Sequence, residues 1–200
     1  HQQRDAERFV NTMDPEIGCV ILAAGYSERL GSPKALIELR DDTLVGWLVD
    51  RMQRQGLEPV VVTNEQLFDK ILESVDCDVI CNPDPNSGRT GTVQLGIRRI
   101  GLAPGRKFLI VPVDRPGFSD STLVSLLVEH DTTCPSSGGR GGHPLLLSEF
   151  DATRILEVPP SVPLRDLVEP GRMEVSDSHL HLNIDTPEDV EKLLRVADSL

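Results

Sequence analysis

Apolar positions follow two rhythms along the chain. An unbroken run at 19–24 has the length of a buried strand, and so do the runs at 59–63, 78–81 and 107–112. Between them the spacing turns helical. Leu44, Val45, Leu48, Val49 and Met52 recur at three and four residues behind a capping Asp42-Thr43 pair, and Gly56 ends the stretch. Helices are also predicted over 66–74, from Val93 onward, and over 119–130. Strand alternating with helix implies an α/β domain whose mostly parallel sheet is covered on both faces.

The second half changes character. Strand-like segments at 132–134 and 145–147 flank Ser136-Ser-Gly-Gly-Arg-Gly-Gly-His-Pro144. Strand, glycine-rich turn and strand predict a small β-hairpin, with Arg140 and His143 pointing into a cleft. Short helical pieces over 149–168 are broken by Pro159, Pro160 and Pro163. Segments 36–39, 173–175 and 180–184 read as extended. Asp185-Thr186-Pro187-Glu188 then opens a last helix, with Asp185 or Thr186 as N-cap and proline at the first helical position. Residues 15–200 suit one domain, and the polar residues 1–14 an N-terminal extension without a motif.

Composition narrows the partners. The 200 residues are 38% hydrophobic but only 4% aromatic, so Leu, Val and Ile must build the core. A net charge of −12 argues against nucleic acid or a membrane surface as partner, since both call for a basic field. No apolar run reaches transmembrane length, and the first residues lack the apolar centre of a signal peptide. The four cysteines form no CxxC pair and read as small hydrophobes in a reducing cytoplasm.

Candidate chemistry starts where the first apolar run ends. Gly25, Gly31 and Pro33 punctuate a loop that carries Arg29 and Lys34. A buried strand opening into such a loop can aim backbone N–H groups at a phosphate, and the two cations add to the cradle. The plan is neither of two familiar ones. The Walker A spacing fails, and so does the dinucleotide fingerprint G-x-G-x-x-G, because Ser27 and Glu28 follow Gly25 and Tyr26. A second anion-friendly stretch is Gly88-Arg-Thr-Gly-Thr92, in front of a helix. Asp114 follows the 107–112 strand, where open α/β sheets place their ligands, and a carboxylate there suits a divalent metal.

Three motifs occur in order: Leu22-Ala-Ala-Gly-Tyr-Ser-Glu-Arg-Leu-Gly-Ser-Pro-Lys34, Pro112-Val-Asp-Arg-Pro116 and Asn183-Ile-Asp-Thr-Pro-Glu-Asp189. Together they resemble the molybdenum-cofactor nucleotidyltransferases, over about residues 17–198. Gly139-Arg-Gly-Gly-His-Pro144 resembles the cytidylyltransferase branch. The resemblance implies a single Rossmann-like three-layer domain and a cytoplasmic, Mg²⁺-dependent enzyme. The reaction it implies joins an NMP from CTP or GTP to a molybdopterin-like phosphorylated acceptor, with a molybdenum enzyme as eventual recipient.

The implied roles fall on named residues. Leu22, Ala23, Ala24, Gly25 and Arg29 hold the triphosphate, and Lys34 meets phosphate at the reacting centre. Gly88, Arg89 and Thr92 lie at base and ribose. Asp114 and Asp185 hold the metal, and Arg140 and His143 face the acceptor. Arg29, Lys34 and Asp114 are the implied catalytic groups. Arg115 departs from the pattern, which usually has an uncharged residue there. Two alternatives stay open: a sugar- or alcohol-phosphate acceptor, and a non-catalytic accessory role in maturing molybdenum hydroxylases.

Overall fold

The computed structural model describes residues 16–26 and 32–200. Arg29 and the 1–14 extension therefore lie outside the described residues. The strands are β1 (Gly18–Ala23), β2 (Glu38–Leu39), β3 (Asp42–Thr43), β4 (Pro59–Thr63), β5 (Asp78–Cys81), β6 (Phe108–Pro112), β7 (Thr133–Ser137), β8 (Arg140–Gly141), β9 (Leu145–Leu147) and β10 (Gly171–Glu174). The α-helices are α1 (Leu44–Arg54), α2 (Phe68–Ser74), α3 (Arg89–Ile100), α4 (Asp120–Leu127), α5 (Glu149–Leu156) and α6 (Pro187–Val196).

The main sheet runs β10-β7-β9-β6-β1-β4-β5, with β8 paired to β7. Its β5-β4-β1-β6 half is parallel throughout. β9 runs antiparallel to both β6 and β7, so it is the one reversed strand of the path. Strand alternation explains the layers. Cys19, Ile21 and Ala23 of β1 join a core with residues of α1, α2, α4 and α6, including Leu48, Ile71, Leu123 and Leu193. Val20 and Leu22 face the opposite way, into a core with Val93 and Ile97 of α3 and Ala152 and Ile155 of α5. A side chain on Gly96 would place its Cβ 2.4 Å from a Val20 methyl, so α3 lies flush on β1. The three-layer α/β expectation thus holds.

Three local expectations are corrected. Segment 180–184 is turn and extended backbone outside the sheet. Leu180 and Ile184 alternate into the core as a strand would, but the Ile184 N–H bonds the Asp114 carbonyl instead of a ladder partner. Residues 34–36 form a 3-10 turn before the two-residue β2. α3 begins at Arg89, so Thr90, Gly91 and Thr92 belong to its first turn. The predicted caps of α1 and α6 form: Thr43 Oγ1 accepts from the Gly46 N–H, and Pro187 opens α6. All four cysteines are unpaired, and no helix among the described residues is long and apolar enough to cross a membrane.

The loop after β6 is clamped from two sides. From α1, the buried Arg51 donates to the carbonyls of Pro116 at 3.1 Å and Phe118 at 2.7 Å and to the Asp120 carboxylate at 3.0 Å. Its guanidinium also stacks over the Phe118 ring, 4.3 Å from the centroid. From the other side, Asp177 accepts from the Ser119 N–H, the Ser119 hydroxyl and the Thr122 hydroxyl. Gly117 packs so closely that an added Cβ would fall 1.9 Å from the His179 carbonyl oxygen.

Arg51→Met would keep most of the side-chain volume but leave two buried carbonyls unpaired. Each such acceptor costs about 1–3 kcal/mol, so urea unfolding should show a loss of at least about 2 kcal/mol. A stability unchanged from wild type would show that water replaces the guanidinium without cost.

Candidate active site

The site is built at the carboxyl ends of β1 and β6, where an open α/β sheet leaves a crevice. The end of β1 is fixed by its neighbours. The Val113 N–H donates to the Leu22 carbonyl at 3.0 Å, the Thr63 hydroxyl to that of Ala23 at 2.9 Å, and the Asn64 amide to that of Ala24 at 3.0 Å. Leu22, Ala23, Ala24 and Gly25 consequently form one wall of a cavity of about 190 Å³. Lys34, Asp114, Arg89 and Thr92 line it too.

Lys34 stands between two carboxylates. Its Nζ lies 3.6 Å from Asp114 Oδ2 and 3.4 Å from Asp185 Oδ1, all three side chains being partly buried. The chain brings these acids together through the Ile184 N–H to Asp114 carbonyl bond, at 2.9 Å. Behind Asp185, the Asp189 carboxylate accepts from the N–H groups of Asp185 and Thr186 and from the Thr186 hydroxyl. Those bonds hold the Asp189 carboxyl below the ordinary carboxylate range, against its partial desolvation. Asp185 therefore sits at the capped start of a helix, its backbone N–H bonded to the Asp189 carboxylate.

The opposite wall is the N-terminus of α3. Gly88 takes the N-cap place with φ +124°, which glycine adopts without strain. Gly91 lets the helix approach the proline-rich segment, where an added Cβ would lie 3.0 Å from Pro160 Cβ. Thr90 donates to the Val162 carbonyl and Asn82 donates to the Thr92 hydroxyl at 3.1 Å. The first turn of a twelve-residue helix is thus pinned facing Lys34 across the cavity, and helix N-termini attract anions.

A second, larger groove of about 1100 Å³ adjoins the first. Arg140 and His143 line it, as expected, together with Gly88, Arg89 and Arg172. Arg89 borders both cavities. Arg172 is committed to the Gly139 carbonyl at 2.7 Å, which braces the glycine turn. His143 Nδ1 is buried without a hydrogen-bond partner among the described residues. Burial, then the positive charges of Arg89 and Arg115, lower the His143 pKa to about 4, with Asp114 opposing. His143 is therefore neutral at pH 7.

The structure brings together every expected site residue that it describes. Leu22, Ala23, Ala24, Gly25, Lys34, Thr92 and Asp114 line the smaller cavity, and Asp185 joins them through Lys34. Arg140 and His143 lie on the larger, with Gly88 and Arg89 at the junction. Sequence reasoning missed Arg51, whose role depends on a loop far along the chain. It also missed Asn183, whose side-chain oxygen is buried and unpartnered among the described residues. A lone arginine amid the apolar positions of a predicted helix was the available signal for Arg51.

The donor set suits a hard divalent cation. Two carboxylates converge on one point, as Lys34 Nζ demonstrates by occupying it. No group of three or more acidic, histidine or cysteine ligands occurs among the described residues. An ion held here would complete its shell with water or substrate phosphates, the usual habit of Mg²⁺.

Comparison with known proteins follows the same lines. A Bacillus mycoides protein named probable molybdenum cofactor guanylyltransferase is 28% identical over 60% of this chain, and the match spans 62% of that protein. The Escherichia coli molybdenum cofactor cytidylyltransferase is 22% identical over 86% of this chain and 93% of its own. Nicotine blue oxidoreductase of Paenarthrobacter nicotinovorans is 30% identical over 67% of this chain and 73% of its own. The structure of a Methanothermobacter nucleotidyl transferase superposes with a TM-score of 0.74 at 21% identity, covering 90% of this chain and 96% of that one. The model of the MobA-like NTP transferase domain matches residues 19–177, and the chain belongs to that family.

Proposed function

We propose that the chain transfers a nucleoside monophosphate from an NTP to molybdopterin or a similar small phosphorylated acceptor and releases pyrophosphate. CTP is the favoured donor, on the Gly142-His143-Pro144 run, and GTP the alternative. The observation that carries the reading is the meeting of Lys34, Asp114 and Asp185 opposite the N-terminus of α3. A molybdenum enzyme would receive the product, and the cytoplasm is the expected setting.

On this reading the triphosphate lies along Leu22, Ala23, Ala24 and Gly25, with Arg29 on its distal phosphates. Gly88 and Thr92 close over the nucleoside. An oxygen of the acceptor phosphate attacks the α-phosphorus. The bond from that phosphorus to the bridging oxygen breaks, and the electron pair leaves with pyrophosphate. An ionised phosphate needs no general base, so orientation and charge neutralisation are the protein's tasks. Asp114 and Asp185 would hold Mg²⁺, which when bound neutralises phosphate charge and polarises the phosphoryl group. Lys34 would face the phosphates, where its positive charge offsets the negative charge that builds on the leaving pyrophosphate.

The relative named as an oxidoreductase, at 30% identity, favours a second reading in which the same frame serves a redox reaction. Pyrophosphate release from CTP or GTP with Mg²⁺ and a molybdopterin acceptor supports nucleotidyl transfer. Its absence with every NTP, beside reduction or oxidation of a dye substrate, supports the second reading.

Lys34→Met and Asp114→Asn should both lower turnover by orders of magnitude while circular dichroism stays unchanged. Their effects on metal binding should diverge. Without nucleotide, Mn²⁺ titrated as a paramagnetic probe should bind Lys34→Met at least as tightly as wild type, because a competing cation is gone. Asp114→Asn should weaken it at least tenfold. Equal weakening in both variants would refute the shared point between the two carboxylates.

His143 gives a pH prediction. Its folded pKa of about 4 lies below the ordinary 6.5, so the folded state resists protonation. The resulting stability is present above pH 6.5 and drains away as the pH falls toward 4. Over that window wild type should lose up to about 3 kcal/mol more than His143→Gln. Urea unfolding at pH 7 and pH 4.5 measures the difference, and parallel losses would mean that water reaches the ring.

A further inference from the structure

More than half of the arginines among the described residues are matched by a carboxylate or by carbonyl oxygens. Arg40, Arg51, Arg54, Arg99, Arg154 and Arg165 each pair with a carboxylate. Arg106 is spent on carbonyl oxygens, as Arg172 is. Arg89, Arg98, Arg115, Arg140 and Arg195 make no salt bridge among the described residues; of these, Arg89 and Arg140 line the larger cavity with His143, and Arg115 directly follows Asp114 on the wall of the smaller one. Cations gathered in one place repel one another, and a bound anion relieves that repulsion.

The seam between the two cavities is the focus. Arg89, in the first turn of α3, lines both. Its charge and those of Arg115 and His181 bear on His143, while Asp114 is the one acid that does. Asp114 is already engaged by Lys34, so the seam is positive on balance. The buried Nδ1 of His143 has no hydrogen-bond partner among the described residues, and the α3 N-terminus adds its dipole. Arg89 is exposed, so a ligand reaches it without any rearrangement of the core.

We propose that Arg89, Arg115 and His143 form a separate phosphate seat at this seam, which holds the acceptor's phosphate beside the nucleotide and is distinct from the triphosphate cradle of β1. The inference rests on the nucleotidyl-transfer reading and adds its acceptor-orienting residues. Arg89 turns toward the acceptor rather than toward the base and ribose. Arg115 becomes the residue that makes this chain's seat more cationic than the usual pattern, so it selects acceptors by the charge of the phosphate end. Arg140 stays at the rim, where it meets the body of the acceptor.

Inorganic phosphate is the probe. It is titrated by calorimetry into protein saturated with Mg²⁺ and a CTP or GTP analogue whose α,β-bridge cannot be cleaved. Wild type should bind one phosphate. Arg89→Met and Arg115→Met should each weaken phosphate at least tenfold, keep the analogue's Kd within about threefold, and leave the melting temperature unchanged. Arg89→Lys should recover part of the loss. Unchanged phosphate affinity in either Met variant overturns the seat, and so does a parallel loss of analogue and phosphate, which would return Arg89 to the nucleotide half. Failure of both analogues to bind wild type sinks the nucleotidyl-transfer reading instead. Phosphate titrated into the protein alone then decides the seat by the same criterion.

Discussion

The backbone hydrogen bond from Ile184 to the Asp114 carbonyl is the joint on which the site depends. It fastens two segments that arrive from distant parts of the chain, each carrying a carboxylate. Neither segment is regular structure, so neither could hold its acid in place alone. Arg51 and Asp177 grip the β6 loop from opposite sides, and the α6 cap grips Asp185. The rigid elements are thus used to immobilise loops, and the loops carry the chemistry. The two acids consequently repel each other across a fixed gap that only a cation relieves.

Much of this frame was legible in the residues. The apolar runs that became β1, β4 and β6 are buried on both faces, so their sequence shows unbroken hydrophobicity, which is a strong signal. The α1 and α6 starts were readable because a cap is a local device. Segment 180–184 misled because burial alternates there without a neighbouring strand. Periodicity reports which side chains are hidden, not where the backbone hydrogen bonds go. The start of α3 was read late for a related reason. Glycine and threonine are weak helix formers, and Arg89 to Thr92 are held helical by Pro160, Val162 and Asn82, which lie elsewhere in the sequence.

Of the site, Lys34 and Asp114 were readable from their places after strands. Their actual separation, and the insertion of Lys34 between two acids, needed the tertiary structure. The same holds for His143. Its sequence neighbours, glycine before it and proline after it, predict only a hairpin turn. Its neutrality comes first from burial and then from Arg89 and Arg115, which no local pattern connects to it. Electrostatic environment is a sum over space, so it is the last property to emerge from a linear reading.

The reversed direction of β9 has a further consequence. β9 pairs with β6 so that Leu145 lies against Ile110 and Leu147 against Phe108. The residues that enter β9 therefore sit beside the residues that leave β6, which is why His143 faces the Asp114 mouth. The stretch between β7 and β9 begins and ends at that same rim. It can lengthen, shorten or be exchanged whole while the parallel half keeps its register and the cavity wall at the end of β1 stays as it is. A fold arranged this way is modular at one edge: the parallel half sets the wall of the smaller cavity, and the β7–β9 stretch is a cassette that a designer can replace.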